Sequence, residues 1–441
     1  MTSALNKVLG ARGSLKGQLL RGGIGNGVLK ISYLLIQFIV TVLLARSLSP
    51  SGFGEYAFAL AVVQLAVVIS QFGFPNYLVK CVAVYKSKAD WGRFRGVVSF
   101  ANIFVVVLSI LVGLALWSDT AVLEGYFLSL DDKVVFPLVV LVVLLSVLGN
   151  LSAVLRGFGF VVKGNISEQL VRPAVLLIAV ALVVSLKGIS PAEALWINVV
   201  ATLISIAVGL SYVRCDVLPA VPSHTKKVEA RYWTKSSLAF LLLAGAQVVN
   251  HQADLLMLGL LTTNESVGLY RVSVQLVDGL GVVFFAISVA IGPKIAALYA
   301  SGDWHSVKTI LRVSHRVAVG LMVLPCALLI YFSAEVLRLA FGAGYELAAT
   351  SLSILLFGKV VYAGFAFSGL ALSMTAWARA AAVITGFAVS VNVILNLVLI
   401  PIYGIEGAAV ATAFSSVLAN LLGVYWLKRR LGDNVSAYGL G

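Results

Sequence analysis

Asn26, Lys30, Tyr33, Gln37 and Thr41 recur at intervals of four, three, four and four, which places five polar side chains on a single face of one helix. Their neighbours are mostly apolar, so the stripe is no ordinary solvated surface. A second set, Gln247, Asn250, His251 and Asp254, lies in a similar apolar run, and Gln37 falls 214 positions before His251. Arg271, Gln275 and Asp278 follow, then Lys359 and Tyr362, then Thr385, Asn392 and Asn396. No metal cluster, catalytic triad or nucleotide-binding loop accompanies them. The chemistry they suit is holding a polar, partly anionic solute by hydrogen bonds and point charges, with His251, Asp254 and Asp278 as carriers of a proton or sodium ion.

Each of these groups also has a plainer reading. Lys30, within two turns of a helix end, can snorkel, and Arg271 can anchor an interface. Asp254, Asp278 and Lys359 lie deeper, where the alternative is a bond that only ties helices together. Tyr56 and Tyr270, beside glycines, read as aromatic-belt and turn residues.

The elements that must position these side chains follow from composition. Hydrophobic residues make up 60% of the 441 and charged ones 11%, which excludes a water-facing globule. Apolar runs long enough to cross about 30 Å of hydrocarbon recur along the whole chain. The expected fold is an all-α integral membrane protein with twelve spans, near residues 24–45, 56–79, 97–117, 134–155, 171–186, 192–213, 237–261, 267–291, 317–332, 348–373, 380–400 and 407–427. No small-residue cleavage site follows the first run, so it is expected to stay as helix one.

The net charge of +14 is informative through its distribution. Lys7, Arg12, Lys16 and Arg21, then Lys80 to Arg95, Arg156 to Arg172, Arg214 to Lys235, Lys294 to Arg316, Arg379 and Lys428 to Arg430 occupy the N-terminus and the even-numbered connections. The odd-numbered connections hold only Arg46, Lys133, Lys187 and Arg338. This alternation is the positive-inside pattern, which puts both termini in the cytoplasm and assigns the basic excess to topology and anionic lipid rather than nucleic acid. Cys81, Cys215 and Cys326 have neither metal nor disulfide spacing.

The chain also repeats itself. Gly54 and Tyr56 lie 214 positions before Gly268 and Tyr270, Asp90-Trp91 lies 213 before Asp303-Trp304, and Gly188-Ile189 lies 216 before Gly404-Ile405. One near-constant offset over three landmarks indicates two six-helix halves of the same orientation. The expected organisation is a cytoplasmic amphipathic segment 1–22, a first lobe 23–215, a cytoplasmic linker 216–235, a second lobe 236–428 and a cytoplasmic tail 429–441.

The stretches "LLARSLSPSGFGEYAFALAVVQL", "QFGFPNYLVK", "NHQADLLMLGLL", "VGLYRVSVQL", "IGPKIAALYASGD" and "NVILNLVLIPIYGIEGAAVAT" resemble the polysaccharide-export branch of the multidrug, oligosaccharidyl-lipid and polysaccharide (MOP) exporter superfamily, the Wzx-type flippases of O-antigen and exopolysaccharide repeat units. The resemblance implies two pseudo-symmetric, MATE-like six-helix bundles around a cationic central cavity. It also implies an undecaprenyl-pyrophosphate-linked oligosaccharide turned by alternating access across a bacterial inner membrane, with a polymerase and glycosyltransferases as partners. It carries over the turn positions Pro50, Gly54, Tyr56, Gly268, Tyr270 and Pro401, the pair Asn392 and Asn396, and Asp254.

On that scaffold the candidate substrate-binding residues are Asn26, Lys30, Tyr33, Gln37, Gln247, Asn250, Arg271, Gln275, Lys359, Asn392 and Asn396, with His251, Asp254 and Asp278 for ion coupling. No cofactor is expected beyond a coupling proton or sodium ion. A cation-coupled multidrug exporter is the alternative, disfavoured because helix one carries Lys30 and no acid; a flippase of another lipid-linked precursor stays open. An enzyme is not expected. "RGGIGNG" at Arg21 has no strand before it to make a phosphate loop, and without a Walker motif ATP is not the direct energy source.

Overall fold

The computed structural model describes residues 15–118, 132–432 and 435–437, with side chains from residue 25 onward except at 132. None of the described residues is in a strand. Among the described residues ten helices are long and apolar enough to cross a membrane. They include α1 (Leu15–Ser47), α2 (Pro50–Gln71), α4 (Trp91–Ser118), α5 (Asp132–Phe158), α6 (Val161–Leu186) and α7 (Pro191–Tyr212). Further along come α9 (Asn264–Ala300), α10 (Trp304–Tyr331), α12 (Ala349–Ala363) and α14 (Ala378–Leu431). The shorter α3 (Phe74–Ser87), α11 (Ser333–Phe341) and α13 (Ser368–Ser373) lie between them. The last long helix folds in two at Gly404, whose φ of 57° and ψ of −128° are non-helical, so it supplies two of the expected spans. Helix α8 (Ala230–Leu261) is equally long but carries Gln247, Asn250, His251, Gln252 and Asp254, and stands outside the apolar ten.

Exposed side chains on these helices include Ile178 at 69%, Leu242 at 71% and Phe357 at 68%, which only a lipid environment satisfies in such density. The expected all-α membrane fold is therefore present, with its boundaries moved. The fifth span starts at Val161 and the ninth at Trp304, each longer than the sequence pattern gave, because both helices begin in polar turns. The second and tenth are interrupted. Phe72 and Gly73 have φ of 49° and 75°, and a Cβ on Gly73 would strike the backbone of Ser237 and Leu241, so glycine admits α8 there. The tenth breaks over residues 364–367, between α12 and α13.

Local chemistry explains the punctuation. Helix α7 opens with a capping box: the Glu193 N–H donates to the Ser190 hydroxyl at 3.3 Å and the Ser190 N–H to the Glu193 carboxylate at 2.9 Å, ahead of Pro191. The repeated Asp-Trp landmark is a helix start built on the same backbone bonds at both places. Asp90 accepts from the Arg93 N–H at 3.1 Å and Asp303 from the Ser306 N–H at 3.0 Å. Ala89 and Gly302, the preceding residues, both have positive φ (51° and 75°). The Asp90 and Asp303 N–H groups reach back to Tyr85 and Leu298 at 2.9 and 3.0 Å. The capping N–H and then the guanidinium of Arg93 hold Asp90 below the ordinary carboxylate range.

The chain forms two compact units, one of Met1–Ser47 with Ala59–Val248, the other of Leu48–Phe58 with Val249–Gly441. The first has a core of Phe74, Phe94, Phe158 and Trp233, with the Trp233 indole N–H on the Tyr85 hydroxyl at 3.1 Å. The connection before α8 is laid on α4: the Lys227 N–H donates to the Gly92 carbonyl at 3.1 Å, and Arg93 pairs with Glu229 at 2.8 Å. Of the expected segment 1–22, residues 1–14 lie outside the described residues and Leu15 already belongs to α1; of the tail, residues 433–434 and 438–441 lie outside.

Candidate functional site

In the first unit the stripe on α1 is half-buried, with Asn26, Lys30, Tyr33 and Gln37 partly covered and Thr41 enclosed. The Lys30 ammonium lies 5.2 Å from the centre of the Tyr33 ring, a cation–π contact between two stripe residues. Asn26 connects to groups that the apolar pattern places in the connection between the fourth and fifth spans. Its side-chain oxygen accepts from Asn165 at 2.9 Å, and the Asn165 oxygen accepts from Arg156 at 3.2 Å. Arg156 also stands 3.9 Å from Glu168, while Arg172 donates to Asn198 at 3.2 Å and Lys163 pairs with Asp216 at 2.7 Å. Glu168 and Arg172 lie in α6 at a π-helical turn, Ser167–Val171, an irregularity frequent at functional sites. The Nε atoms of Arg156 and Arg172 are buried and make no hydrogen bond.

The second unit holds an enclosed carboxylate. Asp254, 8% exposed, sits on α8 where three donors converge: the Tyr270 hydroxyl at 2.9 Å, the Asn396 amide at 2.7 Å, and the Thr412 hydroxyl in a short bond. Asn396 also donates to the Asn392 oxygen at 3.1 Å, and Asn392 donates to Ser415 at 3.2 Å. Helices α8, α9 and both halves of α14 thus meet at one carboxylate. The Asn396 side-chain oxygen, on the amide whose nitrogen bonds Asp254, is buried and makes no hydrogen bond. Tyr270, 1% exposed, is no belt residue; its hydroxyl is part of this site.

The remaining expected residues are not gathered there. Arg271 donates to Gln275 at 3.3 Å one turn along α9. Lys359, on α12, has its ammonium 5.6 Å from the Phe284 ring centre and 5.3 Å from that of Tyr362. Gln247, Asn250, His251 and Asp278 are exposed.

Residues 19–298 match the family model described as polysaccharide biosynthesis protein, and residues 244–398 match that of MatE. The chain belongs to the polysaccharide biosynthesis protein family. Its fold is that of the MATE transporters. An inward-facing multidrug resistance MATE family transporter of the MOP superfamily superposes with a TM-score of 0.70 at 12% identity, over 92% of this chain and 98% of that one. A probable low-salt glycan biosynthesis flippase, Agl15 of Haloferax volcanii, is 28% identical over 176 residues, 40% of this chain and 37% of its own length, so the match spans little more than a third of that relative. An uncharacterized membrane protein, MJ1068 of Methanocaldococcus jannaschii, is 22% identical over 91% of this chain and 83% of its own. These matches agree with a transporter rather than an enzyme.

Within this member of the family, one buried residue escaped the sequence reading altogether. His315 on α10 is fully enclosed; its Nε2 accepts from the Phe367 N–H at 3.1 Å, so the proton sits on Nδ1 and is given to the Val435 carbonyl at 2.8 Å. Its ring stacks on Phe367, which leads through Phe284 to Lys359. One imidazole therefore ties residues after α14 to the break between α12 and α13. A lone histidine in an apolar helix carries no spacing that would have announced this. His315→Ala is expected to leave the Phe367 N–H and the Val435 carbonyl unsatisfied, costing about 2–4 kcal/mol. A fall in the melting temperature of the detergent-solubilised protein is the measurement, and an unchanged melting temperature would refute the role.

Proposed function

We propose that the protein is a flippase that turns an oligosaccharide, carried on undecaprenyl pyrophosphate or a similar polyprenyl pyrophosphate, from the inner to the outer leaflet of the cytoplasmic membrane for surface-polysaccharide synthesis. The observation that carries this reading is the family match over residues 19–298 in a chain whose spans hold Lys359, Asp254 and a run of amides. The physical need is plain. A few sugars expose roughly ten hydroxyls, and at about 1–3 kcal/mol for each left unpaired, passage through bare hydrocarbon costs tens of kcal/mol. Side chains that replace water while the polyprenyl tail stays in lipid remove that barrier, and alternating access delivers the headgroup to the other face.

Roles follow from chemistry. Asn26, Tyr33, Gln37, Gln247, Asn250, Gln275 and the Asn392–Asn396 pair suit sugar hydroxyls, and Lys30, Arg271 and Lys359 suit the pyrophosphate. Exposed Gln247, Asn250, His251 and Asp278 would be costly against acyl chains, which favours a wet path along them. Asp254 is the coupling residue we favour over His251 and Asp278: a proton or a sodium ion would complete a carboxylate ringed by Tyr270, Thr412 and the amide of Asn396. Both termini then lie in the cytoplasm, with a polymerase and glycosyltransferases acting before and after the step.

A second reading, a cation-coupled multidrug exporter, draws on the MatE match at residues 244–398. Two assays separate them: flipping of a lipid-linked oligosaccharide in proteoliposomes, and drug resistance of a strain overexpressing the protein. For the favoured reading Lys359→Ala is expected to lower flipping about tenfold or more, the worth of a lost charge-assisted contact, with normal amounts of folded protein in the membrane. Normal flipping by that variant would leave Lys359 a packing role beside Phe284.

A further inference from the structure

Between α9 and α10, on the basic end of the second unit, lies a cleft of about 560 Å3 lined by Lys294, Ala297, Leu298, His305, Ser306, Thr309 and Ile310. We propose that this cleft is a binding site for the headgroup of an anionic phospholipid of the surrounding bilayer, separate from the residues assigned to the transported substrate and independent of what that substrate is.

The lining is amphiphilic in the way such a ligand requires. Lys294 is exposed and makes no hydrogen bond or ion pair with the described residues, so its ammonium is available to a phosphate. His305 lines the same cleft and can donate from its ring, whereas the Ser306 hydroxyl is spent on the Asp303 carboxylate and the Thr309 hydroxyl on the His305 carbonyl at 3.0 Å. The start of α10 contributes no anion site of its own, because Asp303 already caps it at 3.0 Å and adds a negative charge nearby. The cationic character comes from Lys294 on the other helix. Ala297, Leu298 and Ile310 form an apolar wall, which a free phosphate would not use and a glycerol with its first acyl carbons would.

Depth supports the same occupant. Tyr299 and Trp304, beside the cleft in sequence, meet edge-on at 5.1 Å and pack on Trp377, Tyr299 in edge contact at 5.9 Å and Trp304 stacked at 5.7 Å, and Trp377 meets Trp426 at 4.9 Å. Arg430 lies over Trp426 at 5.1 Å and Arg429 over Tyr425 at 4.9 Å. Clustered tryptophans and tyrosines overlaid by arginines mark the level of lipid headgroups, and the leaflet on the basic side is the anionic one.

The test uses the full chain in nanodiscs of phosphatidylcholine alone and of phosphatidylcholine with phosphatidylglycerol. Native mass spectrometry reads the lipid retained on the protein, and thermal melting reads stabilisation. The wild type is expected to retain phosphatidylglycerol over phosphatidylcholine and to melt higher in its presence. Lys294→Gln is expected to weaken that retention about fivefold, the effect of one basic residue near a charged surface, while melting in pure phosphatidylcholine stays unchanged. Leu298→Asn is expected to weaken it through the apolar wall. Equal retention of the two lipids, undiminished phosphatidylglycerol on Lys294→Gln, or equal stabilisation by inorganic phosphate would each overturn the proposal.

Discussion

Asp254→Asn is expected to lower transport per folded molecule by on the order of tenfold to a hundredfold, the range of an ordinary coupling free energy, while leaving the protein in the membrane. The substitution keeps the shape of the side chain and removes its charge. Tyr270, Thr412 and Asn396 all direct donors at the carboxylate, so an asparagine there can accept from part of the set only, and its own amide N–H opposes the rest. Some stability is lost in either case. What distinguishes coupling from architecture is the driving force: if Asp254 carries the ion, the residual transport of Asp254→Asn no longer responds to a proton or sodium gradient, whereas an architectural residue lowers folded yield and leaves the gradient response of the surviving molecules intact. Transport measured in proteoliposomes against imposed gradients, normalised to monodisperse protein, decides between them. Asp254→Ala serves as the contrast, since it strands three donors and is expected to cost about 3 kcal/mol or more.

The same cluster shows what a linear pattern can and cannot reveal. Asn392 and Asn396 were readable as neighbours because four residues make one turn of one helix, and Asp254 stood out because an acid in an apolar run is costly. Their meeting was not readable, because α8 and α14 are joined by bonds between residues 142 positions apart. Thr412 gave no signal at all; a threonine in a span usually satisfies itself on its own helix, as Thr41 does on the Gln37 carbonyl at 2.8 Å. In the first unit the error was of boundary. Ending the fourth span at residue 155 left Arg156 just outside it, and starting the fifth at 171 left Lys163 and Glu168 outside and set Arg172 at its edge; the structure puts Arg156 in α5 and the other three in α6, with Glu168 beside Arg156 and Arg172 bound to Asn198 of α7. Apolarity averaged over a window fades toward a polar helix start even though the helix continues. The repeat was the most legible feature, and its Asp-Trp member had a cause that sequence alone did not supply: a capping aspartate after a left-handed residue, fixed by hydrogen bonds and not by burial.

Gly54→Val and Gly268→Val are expected to be the most damaging single substitutions for folding. The sequence marks these glycines as turn positions, but both lie inside helices, α2 and α9, and the reason for glycine is proximity. A Cβ on Gly54 would overlap the carbonyl of Asn264, and one on Gly268 would overlap the carbonyl of Pro50. The repeated Gly-x-Tyr segments therefore pack backbone against backbone within the second unit, with Tyr56 and Tyr270 buried at 4% and 1% on either side. Backbone atoms cannot rotate out of the way as a flexible side chain can, so even alanine forces the helices apart. Overpacking of a core ordinarily costs about 1–3 kcal/mol, and a clash with fixed carbonyls at a helix crossing belongs at or above the top of that range. Gly279 and Gly281 on the same helix α9 supply the control, because an added Cβ there meets nothing within 4 Å. Gly279→Ala and Gly281→Ala are expected to be neutral or to raise the melting temperature, since glycine inside a helix is about 1 kcal/mol less favourable than alanine. Size-exclusion profiles and melting curves of the four variants test the claim: a monodisperse Gly54→Val melting within a few degrees of the wild type would mean that the two helices are not pressed together at these residues.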